Sequence, residues 1–360
     1  MKVSSLTLAM TDDCNFNCTY CYQTKGNEYM PEQTLENVLV FFFPFLTDQF
    51  DLNFYGGEPL LAFGLIKKAI AILETLNDKA LKQGKYSLTT NGSLSSQDIL
   101  AFLDNHKFAV ELSFDGLAHD LQRKKGSARK TENTLKKLLN YPHIKVEVNS
   151  VFTPATVDML NNSIQCALSF GVPSINFSLS TLEPWHEDSL EKYKLEISKL
   201  RRFLLEMHKN EGNCPVANFK ELKRGRFSCV AGKNRFAVTT NGDVWGCFLF
   251  PDYFKGKEAV PEYHKFCFGN LMDFANHHER IYPKISKNYS ELSMSQFSSG
   301  KRDCLFCSYY EYCRICPINA AFSGSDIGNI PEYICKLKRI EIDELKRFHA
   351  ELGLKKHLIS

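Results

Sequence analysis

Residues 3–21 read VSSLTLAMTDDCNFNCTYC, an apolar run from Val3 to Met10 that leads directly into Cys14, Cys18 and Cys21. This stretch decides the fold, because its layout, a strand with chemically capable residues just past its end, recurs along the first half of the chain. Further apolar or β-branched runs fall at 52–55, 86–90, 108–114, 146–152 and 175–179. Stretches of helical periodicity alternate with them, at 31–46, 60–82, 97–105, 131–139, 157–170 and 189–210. Pro31 and Pro154 suit helix starts and Gly171 a helix stop. Six strand-then-helix units predict a parallel sheet with helices outside. Periodicity alone leaves open a doubly wound sheet and an incomplete barrel. In both, ligands gather at the carboxyl ends of the strands. Gly56-Gly57-Glu58-Pro59, Asn91 with Gly92, Ser113 with Asp115, and Asn149 with Ser150 all fall at such ends. Each alone is an ordinary turn; their common face is the informative part.

The chain has 360 residues, 44% of them hydrophobic and 24% charged, enough for one large core or two ordinary ones. Its net charge of +3 gives no reason to expect nucleic acid or an anionic membrane as partner. The amino terminus lacks the pattern of a signal peptide. The longest apolar run, Val38 to Leu46, is too short to span a bilayer and reads as a buried helix. A cytoplasmic protein is expected. In a reducing compartment 13 cysteines, an odd number, point to metal ligation rather than disulfides.

Cys14, Cys18 and Cys21 have Cys-x3-Cys-x2-Cys spacing. Iron–sulfur cubanes normally take four protein ligands; three on one loop leave an iron open to a cofactor or substrate. Zinc would need a fourth nearby ligand, and no histidine precedes His106. Past about residue 212 the alternation stops, and nine of the thirteen cysteines follow. Cys229 and Cys247 flank Gly242; Cys304, Cys307, Cys313 and Cys316 form a dense group, and Cys335 closes the series. Zinc ribbons also use Cys-x2-Cys pairs, but seven ligands with long gaps fit two clusters better than one tetrahedral ion.

The first trio, with Tyr20 before its last cysteine, resembles the signature of radical S-adenosylmethionine (SAM) enzymes. That resemblance implies an incomplete (β/α)6 TIM-like barrel and a [4Fe–4S] cluster that binds and cleaves SAM. The 5′-deoxyadenosyl radical so formed abstracts hydrogen from a substrate. It also implies cofactor contacts at Tyr20, at Gly56, Gly57, Glu58 and Pro59 for the SAM amino group, at Ser113 and Asp115 for the ribose, at Arg123 for the carboxylate, and at Asn149. The later cysteines are similar to the SPASM extension, which carries two auxiliary [4Fe–4S] clusters. By that likeness Cys304, Cys307, Cys313 and Cys335 hold one, and Cys229, Cys247 and Cys316 contribute to the other. Cys313 and Cys316 are separated by two residues where the family usually has three. The cysteine nearest upstream of Cys229 is Cys214, fifteen residues away, so Cys214 and Cys267 both stand as candidates to complete the first auxiliary site. Cys166 reads as core.

The expected layout is a radical SAM core at 1–211, a SPASM-type domain at 212–339 and a carboxyl-terminal helix at 340–360. SPASM enzymes mostly act on peptides or proteins, so the leading expectation is a maturase of a ribosomally made peptide, forming a crosslink or thioether or epimerising a residue. It would need a low-potential electron donor. With few residues ahead of the first strand, peptide recognition would fall to the barrel mouth, the second domain or a separate leader-peptide-binding partner. An anaerobic sulfatase maturase forming formylglycine is the alternative, with Asp243 as a speculative base. A non-catalytic iron–sulfur carrier or zinc-binding module is the alternative of another class.

Overall fold

A computed structural model describes residues 1–79, 81–225 and 227–353. The first half runs β1 (Val3–Thr11), α1 (Glu32–Phe42), β2 (Leu46–Gly56), α2 (Phe63–Leu76), β3 (Gln83–Thr90), α3 (Gln97–Asn105), β4 (Ala109–Ser113), a short α4 (His119–Gln122), α5 (Ala128–Leu139), β5 (Lys145–Phe152), α6 (Leu160–Leu168), β6 (Ile175–Leu179) and α7 (Glu187–Glu211). The second half adds α8 (Ala217–Lys220), β7 (Arg235–Val238), β8 (Asp243–Trp245), α9 (Leu249–Phe254), α10 (Pro261–Phe266), β9 (Cys267–Asn270), α11 (Leu271–Glu291), α12 (Pro317–Ala321) and α13 (Glu332–Glu351).

Strands β1 to β6 are parallel and lie in sequence order, the layout of an open (β/α)6 barrel. Their residues alternate. Leu6 and Leu8, Leu52 and Phe54, Val110 and Leu112, and Val146 and Val148 are buried in the core. The residues between them, Ser5 and Thr7, Asp51 and Asn53, Ser87 and Thr89, Glu111 and Ser113, Glu147 and Asn149, line a central cavity. Parallel strands covered on both faces read as continuous apolar runs; here the curved sheet keeps a polar inner face, as a barrel wide enough for a ligand does. That inner face is cross-linked. Asn53 donates to Ser5 Oγ at 3.0 Å and accepts from Ser87 Oγ at 2.6 Å, and Asn176 donates to Asn149 at 3.2 Å.

Several expected elements end differently. The apolar run at 38–46 is not one helix: α1 stops at Phe42, Phe43–Phe45 form a 3-10 turn, and Leu46 begins β2. Pro44 supplies the reason, since it lacks the N–H that a continuing helix needs. The terminal helix begins at Glu332, eight residues before the expected 340, so Cys335 sits on its first turn. Residues 354–360 lie outside the described residues. α7 ends at Glu211 on Gly212, whose φ of 69° is left-handed and closes the helix.

The cysteine-rich half extends the barrel sheet and adds one small two-stranded antiparallel pair, Ser298–Ser299 against Arg302–Asp303. β7 pairs in parallel with β1, Ser5 opposite Arg235 to Leu8 opposite Val238, and β8 and β9 continue antiparallel from it. One sheet of nine strands results. A small second core, Met294, Phe297, Ala320, Ile330 and Ile334, lies under the carboxyl-terminal cysteines. Among the described residues no helix is long and apolar enough to cross a membrane.

Candidate active site

Cys14, Cys18 and Cys21 lie on the loop after β1, and all three border a cavity of about 1110 Å³ inside the barrel mouth. The loop is anchored by Thr11, whose hydroxyl donates to Glu28 O at 2.7 Å and accepts from Asp13 N at 3.0 Å. It is crossed closely by the chain after β2: Gly57 N donates to Thr11 O and Glu58 N to Asp13 O, each at 2.8 Å. A Cβ on Gly57 would stand 2.1 Å from Asp13 O, and one on Gly56 2.2 Å from Thr11 O. The glycine pair is therefore required by the passage of one backbone over another.

Glu58, expected near the SAM amino group, is bonded within the protein. It is fully buried, does not line the cavity, and its carboxylate accepts from Leu60 N, Thr90 Oγ1 and Asn91 N at 3.1, 2.8 and 2.7 Å. It ties the end of β3 to the end of β2. Burial pushes its carboxyl up to about 7 against the pull of those donors. Pro59 is buried beside it, opening a 3-10 turn, and is likewise off the cavity wall. Gly56 and Gly57 do line the cavity.

Asp115 is likewise turned into the wall. It is fully buried, and Tyr20 Oη, Gln122 Nε2, Arg123 Nε, Arg123 Nη2 and Val151 N all donate to it between 2.7 and 2.9 Å. No oxygen is left for a ribose, and Asp115 does not line the cavity. Burial pushes its carboxyl up, but the Arg123 guanidinium and the other donors outweigh that and hold it below the ordinary value. Arg123 is thus committed to a buried bidentate pair, although it also reaches the cavity wall beside Tyr20, whose ring lies 5.3 Å from the guanidinium. Ser113 and Asn149 line the cavity as well. Ser150 points into the wall, donating to Phe114 O at 2.6 Å.

Among the lining residues that the sequence did not single out, Glu111, Tyr22 and Tyr55 stand out chemically. Glu111, in mid-strand β4, faces the cavity, and burial raises its carboxyl. Its signal in the sequence is a charged residue between the apolar Val110 and Leu112, inside a strand rather than at its end. Tyr22 and Tyr55 touch hydroxyl to hydroxyl. Tyr22 follows Cys21, and the Tyr55 ring lies 4.4 Å from Phe248, which follows Cys247.

Cys229 and Cys247 border the same cavity as the first trio. Burial pushes the Cys247 thiol up to about 12, with Cys316 and Cys229 close enough to add to it. Cys304, Cys307, Cys313 and Cys335 line a separate small cavity over the second core. The candidates for an extra ligand lie elsewhere: Cys214 Sγ is 3.7 Å from Val216 O, and Cys267 Sγ accepts from Gly269 N at 3.4 Å. Neither lines either cavity. Cys166 lies on α6, partly buried.

Thiols buried in this way stay protonated unless a cation is bound; burial raises all three of the first trio, Cys18 up to about 11. Iron supplies the missing positive charge. The donor set, thiols bordering shared cavities on two levels, therefore fits iron–sulfur clusters.

The open (β/α)6 sheet carries its Cys-x3-Cys-x2-Cys loop at the mouth of the first strand, within a segment that resembles a known family. Residues 8–154 match the Radical SAM superfamily, whose members bind a [4Fe–4S] cluster and SAM. Named enzymes are among the proteins this chain resembles. The chain is 24% identical over 283 residues to the radical SAM cyclopropyl synthase TigE of Paramaledivibacter caminithermalis, covering 70% of this chain and 59% of TigE. It is 28% identical over 217 residues to a cysteine-type anaerobic sulfatase-maturating enzyme of Clostridium perfringens, covering 56% of this chain and 58% of that one. The chain thus spans under two thirds of either enzyme's length. Native anSMEcpe solved with bound AdoMet shares the fold, with a TM-score of 0.77 at 22% identity, over 98% of this chain and all of that one. The same protein has been solved with the Cp18Cys peptide.

Proposed function

We propose that this protein modifies a ribosomally made peptide by radical chemistry begun at Cys14, Cys18 and Cys21. One observation carries the reading: a single cavity of about 1110 Å³ is bordered by that trio and by Cys229 and Cys247. It exceeds what a small-molecule site usually needs, leaving room for a peptide segment beside the cofactor. In this reading the trio holds a [4Fe–4S] cluster, and Cys229, Cys247 and Cys316 contribute to one auxiliary cluster. Cys304, Cys307, Cys313 and Cys335 hold the other. Cluster and SAM, when bound, supply the 5′-deoxyadenosyl radical that begins the reaction.

The chain's own residues position and shield. Gly56, Gly57, Tyr20, Ser113, Arg123 and Asn149 border the space for SAM. The Asp115–Arg123 pair fixes the wall behind Tyr20. Tyr22, Tyr55 and Phe248 form a contiguous aromatic stretch of the cavity wall, next in sequence to Cys21 and Cys247. Native anSMEcpe, solved with the Cp18Cys peptide, supports a peptide substrate. The working setting is the cytoplasm, with a low-potential electron donor and a separate leader-binding partner.

Sulfatase maturation is the second reading, favoured by the Clostridium perfringens relative. Its speculative base, Asp243, borders a neighbouring cavity rather than the cysteine-lined one, and is bonded by Asn241 and Asn270 at 3.0 and 3.3 Å. Anaerobically reconstituted enzyme, dithionite and SAM are expected to yield 5′-deoxyadenosine and to change the mass of a short peptide encoded beside this gene. A sulfatase-derived peptide modified in its place would favour the second reading. No 5′-deoxyadenosine, or iron-free protein that binds zinc instead, would overturn both.

A further inference from the structure

We propose that Glu111 and Glu147 form a recognition site inside the barrel for a basic side chain of the peptide, a lysine ammonium or an arginine guanidinium. The proposal deepens the peptide-modifying reading and rests on it. The cavity is the substrate site, and these two carboxylates select the side chain that enters it.

The sheet brings the pair together. β4 and β5 are parallel neighbours, Glu111 stands directly opposite Glu147, and both line the cavity. Like charges opposite one another on adjacent strands are destabilising. The other inward pairs of these two strands avoid that cost: Ala109 faces Lys145, and Ser113 faces Asn149. Both glutamates are half-buried. Burial raises the Glu111 carboxyl, and Glu147 adds to the rise. A repulsion built into the wall of the substrate cavity is relieved by a cation seated between the two groups.

The protein does not supply that cation. Glu111 Oε1 accepts from Thr89 Oγ1 at 3.3 Å and from Asn149 Nδ2 at 3.5 Å, two long bonds from neutral donors. Among the described residues neither glutamate makes an ion pair. The other charged residues of the cavity wall are placed elsewhere. Arg123 is committed to Asp115. Lys145 and Arg235 are the first residues of β5 and β7, at the end of the barrel away from the cysteine loop, and both are exposed. Asp51 is at that end too, since Ser5 stands opposite Asp51 on one side and Arg235 on the other. The floor is therefore mixed in sign, whereas the middle of the barrel is acidic alone. Glu111 lies two residues before Ser113, the last residue of β4, which is about 7 Å below the mouth. A basic side chain reaching down from the mouth would bring its charged end to the carboxylates and leave its carbons nearer the cysteine loop. Charge-assisted bonds are strong away from bulk water. A neutral side chain at that depth would leave the pair unrelieved, and an acidic one would add to the repulsion, which is the basis of selectivity.

The test uses the cluster-loaded enzyme with SAM and pentapeptides of the form acetyl-Gly-Gly-X-Gly-Gly-amide, where X is lysine, arginine, norleucine, citrulline or glutamate. In calorimetry the lysine and arginine peptides should bind about tenfold or more tighter than the norleucine and citrulline peptides, with glutamate the weakest. In the variant carrying Glu111→Gln and Glu147→Gln the preference should shrink to less than about threefold, through lost affinity for the basic peptides while the norleucine peptide binds as before. Without peptide, Glu147→Gln alone should raise the melting temperature, because it removes the repulsion. The lysine peptide should then stabilise wild-type enzyme more than either single variant. The single variants carry the test if the double variant does not take up its full iron. An unchanged preference in the variants overturns the proposal, as does wild-type enzyme that binds neither basic peptide. A wild-type preference for glutamate would assign the cavity to Lys145 and Arg235 instead. A higher melting temperature with every peptide bound alike would make the carboxylates a proton-sharing pair without a ligand, and the proposal would fall. If wild-type enzyme binds the lysine peptide yet forms no 5′-deoxyadenosine with dithionite, the proposed function fails while this site stands.

Discussion

Asp115 and Arg123 show how much of this site is wall rather than contact. Two oxygens take five donors, and the guanidinium spends Nε and Nη2 on one carboxylate. Arg123→Lys keeps the charge but loses the planar fork. With Asp115 buried and poorly matched, unfolding stability should drop by about 2–4 kcal/mol in urea titrations. A surface arginine would give almost no change, so the measurement separates the two placements. His119, packed next to this pair, adds a pH dependence. Burial, with Arg123 in support, pushes its imidazole down to about 4, while Nδ1 faces Asp115 N at 3.4 Å and Nε2 faces Ser127 Oγ at 3.1 Å. A folded-state value below the unfolded one gives stability that is present above about 6.5 and is lost as pH falls toward 4. Between pH 7 and 5 this single group should cost on the order of 1–2 kcal/mol. His119→Gln should flatten that slope in the same titration; an unchanged slope would place the acid sensitivity elsewhere.

At the scale of elements, β1 has two roles. It carries the cysteine loop at its end, and it is the seam where β7 joins, Ser5 to Leu8 against Arg235 to Val238. A chain cut after Glu211 would leave that edge bare, together with the face of Phe42 that packs on Phe236 and Phe274. An unpaired, apolar edge invites strand-to-strand association. The truncated protein should therefore elute as aggregates in size-exclusion chromatography where the full chain does not; a well-behaved monomer would show the barrel to be self-sufficient. This seam was not legible in the sequence. The six strands were, because periodicity is a local property, and so were α3 and β6, bounded by Ser96 capping Ile99 N and by Gly171. Legibility failed where the cause is distant in the chain. The end of α1 is a local exception, set by Pro44 two residues on; that β7 belongs to the barrel sheet depends on a partner more than two hundred residues away. The cysteine spacings could be read for the same local reason, whereas the saturation of Asp115 and Glu58 depends on Val151 and Asn91, which no spacing announces.

The scale of the molecule sets how the cysteines divide. Two cavities, one shared by Cys14, Cys18, Cys21, Cys229 and Cys247 and one formed by Cys304, Cys307, Cys313 and Cys335, lie over different cores. Three clusters of equal iron content make a divisible total. Replacing the first trio by alanine should remove about one third of the iron bound after anaerobic reconstitution. Replacing Cys304 and Cys335 should remove about another third and leave 5′-deoxyadenosine formation intact. The second variant also tests the fold, because those thiols rest on Met294, Phe297 and Ile334 and tie the first turn of α13 to the loop before it. Its melting temperature should fall while that of the trio variant, whose loop is held by Thr11 and the glycine crossing, changes little. Iron lost from all sites at once in either variant would mean that the cavities do not load independently, and the two-level division of the thiols would be wrong.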